Sequence, residues 1–162
     1  MASSDTIDLT YLEWDESRRE SSSVWLQTGV AQGELFLAKL VNATLFRNRL
    51  GEHVSNETDQ YGHAAVYIKP WMDSCLPEYG AAVREALFDY CDVSEQMEME
   101  YWRFEEGRFT KWIKEPLSSA LAAASILLDH YRTIHYTDYE VLYAVHDLDR
   151  KKVVMFLKQT DE

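Results

Sequence analysis

The chain has 162 residues, with 28 acidic side chains against 16 basic ones and a formal net charge of −12. That length fits one domain whose core needs no disulfide framework, and 46% hydrophobic residues with only six glycines exclude a disordered acidic tail. The negative surplus disfavours nonspecific binding to a phosphate backbone or an anionic membrane.

Cys75 and Cys91 form no CxxC pair and allow one bridge at most. They read as thiols of a reducing compartment, so a cytoplasmic location is expected. Met1 to Asp8 lacks a basic stretch followed by an apolar one, and the longest apolar run, Ala120 to Leu128, is too short to span a membrane.

In chain order, Ile7 to Trp14 alternates well enough for a first strand. Asp15 to Ser23 is polar and reads as a loop, with Ser23 a candidate helix cap. Leu37, Leu40, Val41, Leu45 and Phe46 recur at helical spacing and predict a long helix from Val30 to Leu50, with Gly51 as its left-handed stop. Glu52 to Gly62 reads as a polar connection. Ala64 to Ile68 is a short strand closed by Pro70, and Val83, Ala86, Leu87 and Tyr90 stripe a second helix over Glu78 to Cys91.

Met97, Met99 and Tyr101 alternate with Glu98, Glu100 and Trp102, which is a strand of period two. The turn Glu105-Glu106-Gly107-Arg108 returns it as a hairpin through Phe109 to Ile113. A third helix from Leu117 to about Thr133 is apolar around much of its circumference and is expected to be buried across the sheet. Tyr139 to His146 and Lys152 to Phe156 form a last hairpin. No internal repeat or linker divides the sequence. The fold class expected is α+β: a single domain over residues 1–162, with a mainly antiparallel sheet and about three helices on one face.

The excess charge is uneven. Residues 1–50 hold seven acids and five bases, residues 51–106 hold thirteen and three, and residues 107–162 hold eight of each. Nearly the whole surplus therefore falls in the middle segment. The strand period puts Glu98 and Glu100 on one face beside Trp102, with Glu95, Glu105 and Glu106 nearby. These six residues are the expected interface: acids to steer and hydrogen-bond, Trp102 as an apolar anchor.

Other chemistry is weaker. His130, His135 and His146 would make a metal or general-base cluster only if the fold brought them together. Thr28 to Gly33 lacks the spacing of a phosphate loop, and Cys75 has no adjacent base to activate it. No catalytic residue, metal ligand or cofactor is assigned. The expected function is an intracellular acidic protein-binding module that inhibits or regulates a basic partner, such as a nucleic-acid-binding protein or nuclease. It would touch neither nucleic acid nor membrane directly. The alternatives are a small metal-dependent enzyme built on the C-terminal histidines and a structural subunit of a complex.

Overall fold

A computed structural model describes residues 6–89 and 92–160. Tyr90 and Cys91, expected at the end of the second helix, lie outside them. The chain opens with an antiparallel hairpin of β1 (Thr6–Asp15) and β2 (Glu20–Ala31). Then come α1 (Gln32–Leu40) and a meander of β3 (Ala43–Phe46), β4 (Arg49–Thr58) and β5 (His63–Pro70). A 3-10 turn at Asp73–Cys75 leads into α2 (Gly80–Asp89). The same order then recurs: a hairpin of β6 (Glu98–Glu105) and β7 (Arg108–Pro116), α3 (Ala120–Leu127), and a meander of β8 (Tyr131–Ile134), β9 (Thr137–Asp147) and β10 (Lys152–Gln159). No sequence repeat announces this.

In each half the last strand returns parallel to the first, β5 on β1 and β10 on β6. Parallel pairing of β3 with β9 joins the halves into one ten-stranded sheet, ordered β2-β1-β5-β4-β3-β9-β10-β6-β7, with β8 on β9. The sheet is thus mixed, which corrects the mainly antiparallel expectation. Apolar alternation says which residues face a core, but not which strand lies alongside. Here the helical crossovers and meanders are long enough to bring strands back in parallel.

Helices cover both faces rather than one. Met99 and Tyr101 of β6 pack with Leu37 of α1, Ala123 of α3, and Val153, Met155 and Leu157 of β10. Trp102 turns the other way, toward Val83, Ala86 and Leu87 of α2 and Val154 and Phe156 of β10. Buried on both sides, β10 reads as the unbroken apolar run Val153 to Leu157. A third cluster, with Leu9, Tyr11, Val30, Leu35 and Val66, fills the first half.

The helix expected from Val30 to Leu50 ends at Leu40. Val41 is extended, and Arg47 and Asn48 take φ values of 49° and 60°, the left-handed pair of a two-residue hairpin turn between β3 and β4. The Asp149 carboxylate accepts the N–H groups of Arg47 and Asn48, each at 2.8 Å. Gly51 is no helix stop. It lies in β4, where an added Cβ would come within 2.8 Å of Ile68 Cδ1. The polar stretches Glu20 to Ser23 and Glu52 to Thr58 are strand, not loop, and Ser23 caps no helix.

Candidate functional site

Strand β6 holds three of the five carboxylates expected at the interface, Glu98, Glu100 and Glu105, and the fold turns the first two inward. Glu100 is 1% exposed. Lys152 Nζ donates to its Oε2 at 2.8 Å, Trp102 Nε1 donates to its Oε1 at 2.5 Å, and Lys111 Nζ lies 3.7 Å away. Glu98 is half-buried, accepts from the Ser94 hydroxyl at 2.5 Å and lies 3.7 Å from Lys114 Nζ. Lys114 donates to Asp92 at 2.6 Å, a bond that holds the Asp92 carboxyl below the usual carboxylate range and raises the lysine. Lys111 lies 3.6 Å from the same carboxylate.

Asp92, Glu98 and Glu100 therefore meet Lys111, Lys114 and Lys152, equal charges of each sign. This corrects the expected outward acidic face. Glu98, Glu100 and Trp102 do share one face of β6, but Glu100 and Trp102 are buried on it, Trp102 in the cluster that holds Val83, Ala86 and Leu87 of α2. The lysines come from the charge-balanced last third of the chain. Glu95, Glu105 and Glu106 remain exposed, with Glu105 paired to Arg103 at 3.0 Å. Because the internal pairs cancel one for one, they displace the net charge of −12 without reducing it. Glu78, Glu85 and Asp89, in and before α2, carry part of it on the surface.

The C-terminal histidines do not converge. The Val141 N–H donates to the His130 carbonyl at 2.9 Å, so His130 sits five strand residues, about 16 Å, from His146. His135 lies in the β8–β9 turn with its ring 6.0 Å from Trp112. Among the described residues no group of three or more His, Cys, Asp or Glu side chains is placed to hold a metal ion.

The fold instead brings His146 near His53, whose Nε2 lies 2.6 Å from Thr44 Oγ1. Burial pushes both imidazoles down to about 4, with His146 adding to the effect on His53. Both are neutral at pH 7. His146 Nδ1 is buried without a hydrogen bond. Sequence reading missed this pair because parallel pairing of β3 with β9, placing Thr44 opposite His146, is what assembles it. The Cys75 thiol is pushed up to about 12 by burial and the Glu52 carboxylate, which leaves it a poor nucleophile at neutral pH.

An exposed apolar surface lies between α1 and α3. The third helix is shorter than expected and is no buried core organiser. Only Ala123 and Ala124 are buried, while Leu121 and the adjoining Leu128 are 56% and 64% exposed. Phe36 and Leu40 of α1, 48% and 37% exposed, line the same groove of about 860 Å³. Two details fix the helices. Ser119 caps α3 by accepting from the Ala122 N–H at 3.1 Å. Gly33 allows the close approach, since a Cβ there would sit 3.1 Å from the Leu121 backbone nitrogen.

No family model matches the chain, and no curated protein or solved structure matches it significantly.

Proposed function

We propose that the chain is an acidic protein-binding module that seats an amphipathic segment of a positively charged protein in the α1–α3 groove. The observation that carries this reading is the surface formed by Phe36, Leu40, Leu121 and Leu128. Single exposed apolar side chains are ordinary. Four of them lining one groove on two packed helices resemble a surface that a partner covers.

Charge complementarity selects the partner. The one charged residue in the lining, Lys39, is tied to the Thr58 hydroxyl at 2.5 Å, so the attraction comes from the wider surface, where Glu34 on α1 and Asp129, paired to Arg132 at 3.1 Å, are exposed within a molecule of net charge −12. Apolar anchors would supply most of the affinity, and the negative field would speed encounter and fix orientation. Glu95, Glu105 and Glu106 belong to that field, whereas buried Glu100 and Trp102 serve the core. A partner whose basic surface engages nucleic acid, a nuclease among them, would be inhibited by such an association.

The test is quantitative affinity capture with the wild type, a Phe36→Ser/Leu121→Ser variant and a Glu34→Lys/Asp129→Lys variant. Circular dichroism checks that each remains folded. Basic proteins retained by the wild type should be lost from the first variant and should bind the second more slowly. Equal retention by all three overturns the reading.

A further inference from the structure

A second cavity, of about 330 Å³, opens in the first half between β2 and the β3–β4 turn. Its size lies within the range of small-molecule sites. The lining is graded: Tyr11, Thr44 and Leu50 at the floor are buried, whereas Arg47 and Arg49 are exposed at the rim. Tyr11 and Phe46 line it, and Trp25, outside the lining, holds both rings in place, stacked on Tyr11 at 5.5 Å and on Phe46 at 4.2 Å. The Arg47 guanidinium lies over Phe46, 5.0 Å from the ring centroid.

Two groups of this cavity have polar capacity left over among the described residues, a hydroxyl without a hydrogen bond and a guanidinium without an ion pair. The Tyr11 hydroxyl is buried and makes no hydrogen bond, in a residue only 3% exposed. Burial pushes its pKa up to about 12, the neighbouring Thr44 hydroxyl offsetting only part of this, so the group remains an O–H donor. A donor left unmatched in an interior costs stability, and an acceptor brought by a ligand would recover it. At the mouth, Arg49 is tied to Glu13 at 3.1 Å, while Arg47 forms no ion pair among the described residues.

We infer that this cavity binds a compact two-ring aromatic carboxylate with an oxygen acceptor at the end opposite its charge. The oxygen accepts from Tyr11 at the floor, the rings lie along the apolar wall of Leu50 and Phe46, and the carboxylate meets Arg47 at the rim. The site is separate from the α1–α3 groove and does not depend on what that groove binds.

The probe is 6-hydroxy-2-naphthoate, followed by its own fluorescence. It should bind saturably, with 2-naphthoate (no acceptor oxygen) and 2-naphthol (no carboxylate) each about tenfold weaker. Tyr11→Phe should weaken the probe about tenfold while leaving 2-naphthoate unchanged and raising the melting temperature, because an unmatched donor has been removed. Arg47→Glu should weaken both carboxylates and leave 2-naphthol unchanged. The comparison of the three compounds on the wild type keeps the test decisive even if a variant fails to fold. Absence of saturable binding below about 1 mM, or equal affinity for the three compounds, overturns the assignment. So does a probe affinity indifferent to either substitution.

Discussion

Lys152 and Glu100 form an ion pair across the parallel strands β10 and β6, 2.8 Å from Nζ to Oε2, with each side chain 1% exposed. Taking two charges out of water is costly, and their attraction offsets this only when the remaining hydrogen-bonding sites are also matched. Trp102 and Lys111 provide that matching for the carboxylate. Lys152→Met should therefore destabilise the fold by about 3–5 kcal/mol, because it strands a buried carboxylate. The double variant Glu100→Met/Lys152→Met should recover most of the loss. Urea denaturation of the single and double variants measures both, and a double variant as unstable as the single would refute this account of the pair.

The buried histidines set a pH dependence. His53 and His146 have folded pKa values near 4, against about 6.5 in the unfolded chain. Below pH 6.5 the unfolded state binds protons that the folded state refuses. Stability is then complete above about pH 6.5 and falls as the pH drops toward 4. Between pH 7 and pH 5 the loss should be about 2 kcal/mol per histidine. Denaturation curves across that window, repeated with His53→Gln, should show the slope roughly halved in the variant.

Two glycines mark close packing of different hardness. A Cβ at Gly51 meets the far end of the Ile68 side chain at 2.8 Å, whereas one at Gly80 would lie 1.9 Å from the backbone oxygen of Asp73. Gly51→Ala should cost about 1–3 kcal/mol, the usual range for overpacking, and part of it should return with Ile68→Ala. Gly80→Ala should cost more, without rescue by any side-chain truncation, since the obstacle is main chain. Melting curves of the three variants decide the ranking.

Asp149 acts as a remote turn cap. Its two oxygens take the N–H groups of Arg47 and Asn48, so Asp149→Ala should destabilise by about 1–2 kcal/mol. Hydrogen exchange should speed up specifically at those two amides. Unchanged exchange at Arg47 and Asn48 would show that the carboxylate contributes nothing to the turn.

The parts of this fold legible in the sequence are those encoded by neighbours. The β6–β7 turn follows from Glu106 and Gly107, which take φ values of 52° and 82°, and Phe104 meets Phe109 across it as alternation suggests. β5, α2 and the β9–β10 hairpin follow equally local patterns. The Val30 to Leu50 segment was illegible because its apolar spacing suits a helix as well as a buried strand, and the choice is made by distant Asp149 and by pairing with β9. The acidic strand misled for a related reason. Alternating Glu98 and Glu100 look like a wet face until Lys111, Lys114 and Lys152 arrive from elsewhere, and nothing in the local sequence reports that arrival. The α1–α3 groove was hidden because an alanine- and leucine-rich helix reads as core, whether or not its outer side is covered.

The placement of β10 between β9 and β6 has a bearing on synthesis. Glu100 must wait for Lys152, 52 positions later, before its charge is matched, and β6 must wait as long for its inner neighbour. While the ribosome elongates that interval, one strand edge with Met99 and Tyr101 has no lasting place to dock. The second half can close only once Lys152 to Gln159 are available to lie between β9 and β6, and pairing over so long a stretch of sequence slows folding while unpaired strand edges stay open.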